Sequence, residues 1–357
     1  KALVVAGARL MPADVLAKLL DLAKEGATVV FLDQYPEDVP GYAGLERRRT
    51  EFKRTLEQIK KLGNERGKGQ TVFFGTDYAR TLAQTAAIPE AMKTSFDLSC
   101  IRRKNTEGYH YFISALTGKD TESWIPLAVP ARSAMLYNPM NGASGKALLR
   151  QKDGKTEVYL QLASGESAIL KTFTEADVQV PEWKYQTVAQ GTVELSGLWS
   201  LRFVESAPAV HSVPDSVSLG SWTDLSFEGA GTTMGTGCYT TAFVIENPAS
   251  AQDWQLSLGD VRESARVRIN GREVATLWAV PYCCPIGQYL RPGKNILEIE
   301  VTNLPANRIA DMDRRGVKWR IFKDINIAAL GYKKGTYAGW EPVPSGLLGP
   351  VRIIPLK

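Results

Sequence analysis

The chain changes its hydrophobic rhythm twice. From Ala2 to about residue 95, apolar runs of strand length at Ala2–Ala6, Thr28–Leu32 and Thr71–Phe74 alternate with segments of helical period. Between the first two runs, Val15, Leu16, Leu19, Leu20 and Ala23 form one helical stripe, with Pro12 suited to a first turn and Gly26 beyond the end. Phe52, Leu56 and Ile59 mark the inner side of a second, highly charged helix. This order predicts a parallel sheet with helices on its faces. Three strands alone leave unpaired backbone at an edge. Because Ala2–Val5 looks like a buried strand and Lys1 is not a methionine, a chain cut from a longer protein is expected.

From about Phe96 the helical period disappears. Short β-type runs at Tyr109–Ala115, Ala131–Leu136, Val158–Leu162 and Ser167–Thr172 are punctuated by Asn138-Pro139, Asn141-Gly142, Asp153-Gly154 and Ser164-Gly165. Such breakers at hairpin intervals predict a small β-sandwich. After about residue 184 a period of two dominates, most regularly in Leu258–Asn303, which reads as a jelly-roll module. Ala265, Val267 and Ile269 share one face there, and Arg266 and Arg268 the other. Asn270-Gly271 supplies the two positive-φ residues of a type I′ turn, which sets Arg268 opposite Glu273 and Val267 opposite Val274. Ile296–Val301 alternates again, whereas Asn303–Arg320 is too polar and irregular for a strand or a simple amphipathic helix and reads as a long functional loop.

These rhythms divide the chain at 1–95, 96–183 and 184–357. Its 357 residues, 44% hydrophobic, suffice for several cores. The charge changes little: 43 basic and 38 acidic residues leave a net +5, and the basic residues are not interleaved with aromatics, so no nucleic-acid partner is expected. No apolar run reaches the length of a membrane span. The two histidines, His110 and His211, are isolated, which excludes a His-rich metal centre, and neither lies near a G-x-S-x-G elbow. Cys100, Cys238, Cys283 and Cys284 fit no metal spacing and read as small apolar residues or one incidental bridge. Gly7 and Gly75 follow strands without a G-x-G-x-x-G or P-loop context, so no nucleotide cofactor is expected.

The third segment resembles the galactose-binding-like, sugar-binding domain of family 2 glycoside hydrolases, and more closely the C-terminal part of family 106 α-L-rhamnosidases. The likeness rests on Gly220-Ser-Trp222, Tyr239 with Phe243, Leu258-Gly-Asp-Val261, Ala265-x-Val-x-Ile-Asn-Gly271, Leu277-Trp278 with Pro281-Tyr282, Pro292-Gly-x-Asn295, Val301-Thr-Asn303, Asn307-Arg308, Asp311 and Gly349-Pro-Val351. Upstream, Met11–Phe31 is similar to an amidotransferase-like α/β domain, and Ile101-Arg-Arg103, Tyr111-Phe112, Asn138–Gly142 and Leu162–Ser167 to the intervening β domain. The resemblance implies a multi-domain α/β plus all-β chain: a partial parallel amidotransferase-like sheet, a small β-sandwich and a C-terminal galactose-binding-like jelly roll. It implies a secreted or periplasmic enzyme degrading plant polysaccharide such as pectin, whose catalytic (β/α)₈ barrel, a partner of this jelly roll in the same polypeptide, is absent from the sequence. Cys283-Cys284 and Asp313-Arg-Arg-Gly316 depart from the rhamnosidase pattern and leave the exact sugar open.

Glycoside hydrolysis requires two carboxyl groups, roughly 5–5.5 Å apart for retention or 6.5–9.5 Å for inversion. Asp224, Asp260, Glu263, Asp311 and Asp313 are of the right type, but loop carboxylates commonly form turns, bind calcium or pair with arginine, so no catalytic residue is assigned. Sugar binding asks for an aromatic face and planar polar groups. Trp222, Trp278, Tyr282, Asn303, Asn307, Arg308, Asp311, Arg314, Arg315 and Trp319 supply these, whereas Trp199 and Trp254 suit the core. Arg314 and Arg315 read either as forks for an acidic sugar or as salt-bridge partners of the barrel. Asn303, Asn307 and Asp311 read either as a loop scaffold or as a calcium site, calcium being the one cofactor considered. Two further readings stay open: a stand-alone carbohydrate-binding module or small hydrolase using the 303–320 loop, and a structural interaction protein.

Overall fold

The computed structural model describes residues 2–65, 67, 69–85, 87, 89–320 and 335–357. The chain is mainly β and forms two compact units: residues 1–113, 122–160 and 168–183 make the first, and 114–121, 161–167 and 184–357 the second.

The first unit opens as its rhythm predicts. Strands β1 (Ala2–Ala6), β2 (Thr28–Leu32) and β3 (Val72–Gly75) form a parallel sheet in that order, with Leu3 beside Val29 and Val29 beside Val72. Helices α1 (Ala13–Lys24) and α2 (Leu45–Asn64) bury Leu16, Leu20, Ala23, Phe52 and Ile59 against Val29, Phe31 and Val72. Pro12 occupies the N-cap of α1, one place earlier than the first turn. The expectation of a buried β1 is corrected: Leu3 and Val4 are 44% and 41% exposed, because β1 is an edge strand paired only with β2 among the described residues. Two short helices follow, α3 (Tyr78–Leu82), capped by the Asp77 carboxylate on the Arg80 N–H, and α4 (Ala91–Ser95).

Eight strands come next: β4 (Ser99–Lys104), β5 (Gly108–Ser114), β6 (Thr121–Pro126), β7 (Ser133–Tyr137), β8 (Ser144–Lys146), β9 (Leu149–Lys152), β10 (Lys155–Leu162) and β11 (Ser167–Phe173). They make a five-stranded sheet, β4-β5-β11-β7-β8, and a three-stranded sheet, β6-β10-β9. Glu90 closes the unit: its carboxylate accepts from Arg102, from the Tyr111 hydroxyl and from the Ala128 N–H. Tyr111 is fully buried, and desolvation beside Glu90 pushes its phenol well above its ordinary value.

In the second unit, β12 (Val193–Glu194), β13 (Ser200–Ala207), β14 (Met234–Ile245), β15 (Asp253–Ser257), β16 (Asp260–Arg262), β17 (Ser264–Ile269), β18 (Arg272–Leu277), β19 (Cys283–Pro285), β20 (Gly293–Thr302), β21 (Gly346–Gly349) and β22 (Arg352–Leu356) form antiparallel sheets. The order is β12-β22-β15-β19 in one sheet and β13-β14-β20-β17-β18 in the other, with β16-β21 as a small pair. One core joins them, built on Trp199, Trp222, Tyr239, Leu256, Val267, Ile299 and Ile353. Ala265, Val267 and Ile269 point into it as the alternation requires, while Arg266 and Arg268 meet Glu300 at 3.2 and 2.7 Å. Asn270 and Gly271 both take positive φ, and Arg268 lies opposite Glu273. The next pair differs from the expected register: a bulge places Ala275, not Val274, opposite Val267. All four cysteines are free, and Cys284 is a core residue on β19.

Candidate functional site

Strand register gathers the loops at one end of the five-stranded sheet. Ala207 pairs with Met234, Thr302 with both Thr236 and Ser264, and Ala265 with Leu277. The end of β13, the start of β14, the end of β20, the start of β17 and the end of β18 therefore share that edge of the sandwich. Trp278 follows β18 there, the 303–320 segment leaves β20 there, and the 335–345 segment, which leads into β21, is tied to it by the Asn303–Ser345 hydrogen bond.

The 303–320 run is not the loop that its polarity suggests. Ala306–Arg314 is a helix, α5, which buries Asn307 and Ala310 and presents charge elsewhere. Ala306, Ile309 and Ala310 stand at helical spacing on one side, but the stripe is short and set among charged residues, and a buried asparagine takes the place of a core aliphatic.

Asn303 and Asn307 are scaffold. The Asn303 side-chain NH₂ donates to Thr233 O and to Ser345 Oγ, both at 3.1 Å, and its Oδ1 accepts the Gly235 N–H at 2.9 Å. Asn307 exchanges two 2.8 Å bonds with the Val343 backbone. Ser345 N–H donates to Ser221 Oγ at 3.1 Å, tying the network to the turn that holds Trp222. Asp311 accepts from Arg308 at 3.1 Å and from Arg315 at 3.0 Å. The Asn303 and Asn307 amide oxygens and the Asp311 Oδ2 are thus committed to partners within the chain, as a loop scaffold requires. No group of three His, Cys, Asp or Glu side chains able to hold a metal occurs among the described residues.

Asp313, which the sequence offers only as a carboxylate of the right type, is a hub. Its Oδ1 accepts the Trp319 indole N–H at 2.7 Å, and its Oδ2 accepts the Tyr337 N–H at 2.8 Å and the Thr336 hydroxyl at 3.2 Å. Arg320 adds an ion pair at 3.5 Å. The Tyr337 amide, followed by the Trp319 indole, holds the Asp313 carboxyl below its ordinary range. Around it Trp319, Tyr337 and Trp340 form an aromatic run with centroid spacings of 6.2 and 4.5 Å, and the Arg320 guanidinium lies 5.2 and 5.0 Å from the first two rings. Trp340 and Tyr337 carry no sequence signal that separates them from core aromatics.

The remaining candidates divide by burial. Trp222 is fully buried and donates its indole N–H to the Tyr239 hydroxyl at 2.6 Å, so it offers no face to a ligand and is corrected to the core. Tyr282, 6% exposed, donates to Glu263 O at 2.5 Å and is likewise packed. Trp199 and Trp254 are core, as expected. Trp278, by contrast, is 66% exposed, and Arg314 and Arg315 are exposed. Asp260, Asp311 and Asp313 each carry an arginine ion pair, which leaves none of them as an uncommitted carboxylate.

A mainly-β chain with this loop-bearing sandwich is similar, in fold and in part of its sequence, to segments of proteins named as glycoside hydrolases. No family model matches it. Over 99% of its length the chain superposes on 33% of a rhamnosidase from Novosphingobium sp. PP1Y, with a TM-score of 0.61 and 22% identity. It is 31% identical over 179 residues, 45% of the chain, to a Formosa agariphila protein named "Putative beta-glucuronidase", of which it covers 15%. The chain thus spans about a third of the one protein and a smaller share of the other.

Proposed function

We propose that the chain is the C-terminal accessory part of an α-L-rhamnosidase-like glycoside hydrolase that degrades plant polysaccharide such as pectin outside the cytoplasm. In this reading 1–95 is a partial amidotransferase-like domain, 96–183 a β-sandwich, and 184–357 a galactose-binding-like jelly roll packed beside the catalytic barrel of the same polypeptide, as in family 106. The observation that carries it is the likeness of fold to a rhamnosidase over nearly the whole chain. The commitment of three of the five loop carboxylates, Asp260, Asp311 and Asp313, to arginines supports an accessory role. The test is hydrolysis of an aryl α-L-rhamnoside. The expected result is no turnover by this chain alone and turnover by a longer polypeptide that adds the barrel. Turnover by the chain alone removes the accessory role; an inactive longer polypeptide removes the rhamnosidase assignment.

A stand-alone carbohydrate-binding module is the second reading, favoured by the exposed Trp278 and Trp340. It predicts glycan-array binding by the isolated chain that Trp278→Ala or Trp340→Ala abolishes.

A further inference from the structure

At the β13 edge of the loop end, the segments following β13 and following the turn at Trp222–Asp224 enclose an open cavity of about 350 Å³. Its size lies within the roughly 300–1,000 Å³ typical of small-molecule sites. The apolar side is formed by Phe227, Val213 and Pro214. Phe227 lies 5.6 Å from Phe203, which stands edge-on to Trp222 at 4.8 Å, so this wall is continuous with the core. The surrounding chain is pinned: Val210 N–H donates to Ser206 Oγ at 2.9 Å, Thr233 Oγ1 to Pro208 O at 3.3 Å, and Ala230 N–H to Phe227 O at 3.2 Å.

The polar side is His211, Ser212, Ser226 and Glu228. None of these side chains has a hydrogen-bond or ion-pair partner among the described residues, in contrast to Asn303, Asn307 and Asp313 on the same rim. Four uncommitted polar groups facing an apolar wall match the two faces of a pyranose: C–H groups on one side, hydroxyls on the other. No lysine or arginine lines the cavity, and its one carboxylate, Glu228, repels an anion.

We propose that this cavity binds a neutral pyranose, its C–H face on Phe227 and its hydroxyls on His211, Glu228 and the two serines; the assignment rests on the carbohydrate reading above. Because the chain has only His110 and His211, their imidazole resonances report binding directly, and His110, in β5, serves as internal control. Titration with the methyl glycosides of L-rhamnose, D-galactose and L-arabinose is expected to move His211 saturably with at least one of them and to leave His110 unmoved. Methyl glucuronide and inorganic phosphate are expected to bind about tenfold or more weakly. Ser226→Trp, at an exposed position, fills the cavity and is expected to abolish the response while circular dichroism stays native. A silent His211 with all three glycosides, an equal or stronger response to glucuronide or phosphate, or a response unchanged in Ser226→Trp overturns the assignment. Rhamnoside hydrolysis by the longer polypeptide with a silent His211 removes the cavity site alone. A responsive His211 beside an inactive longer polypeptide removes only the rhamnosidase reading.

Discussion

Tyr239 shows how much one hydroxyl holds in place. It accepts from the Trp222 indole at 2.6 Å and from the Leu347 N–H at 3.1 Å, and burial pushes its phenol up to about 12. Tyr239→Phe keeps the ring but strands two buried donors, and a loss of about 1–3 kcal/mol for each is expected in urea unfolding. Trp222→Ala removes the partner as well as a large core side chain and is expected to cost about 3–5 kcal/mol. Gly346 completes the arrangement: at φ 95° a Cβ would strike both the Trp222 indole nitrogen and the Tyr239 hydroxyl, so no side chain fits there. Asp313 acts through charge instead. Its folded carboxyl titrates below the ordinary value, so its contribution is fully present above about pH 4 and fades as pH falls through the folded value. In Asp313→Asn the thermal midpoint is expected to lie below wild type at neutral pH, and the two profiles to converge in acid. The chemical types at this site were legible in the sequence, but their allegiances were not. Trp222 and Trp278 look alike as letters, and only the fold, which buries one in the turn at Trp222–Asp224 and leaves the other exposed after β18, separates them.

At the scale of elements, the sequence was most legible where one local rule sufficed. Ala2–Ala6 and Thr28–Leu32 are strands residue for residue, and the Asn270-Gly271 hairpin has its expected turn. It failed where two rules competed. The bulge between Val267 and Arg268 shifts Val274 out of its expected pairing, and α5 is tied down by Asn303, Asn307 and Ser345, which bond across segments far apart in the chain. Asn270 joins turn and sheet. Its side chain donates to Tyr289 O and to Asn295 Oδ1 and accepts the Ile296 N–H, with Asn295 itself fully buried. Asn270→Ala leaves the Ile296 N–H without this acceptor, while Asn295 Oδ1 keeps the Arg291 N–H, and puts a Cβ-bearing residue without a polar partner at φ 53°. A loss of about 2–4 kcal/mol is expected from one unmade buried bond and the left-handed backbone, measured as a shift of the urea midpoint at constant slope.

For the whole molecule, two units with separate cores predict separable melting. Phe52→Ala removes a buried ring from the first unit and Trp199→Ala one from the second, each at a cost of about 3–5 kcal/mol. Calorimetry is expected to show each variant lowering a different transition, and a joint shift in both would mean the units unfold as one. The edge strand β1 bears on handling rather than on catalysis. Its outer backbone groups have no partner among the described residues, Leu3 and Val4 flank them in water, and Phe74 across the sheet is 45% exposed. Such an edge is a template for any other extended segment, including the same strand of a second molecule. Light scattering of the purified chain is expected to rise with concentration and time, and Val4→Lys to suppress that rise by making aggregation at this edge electrostatically costly.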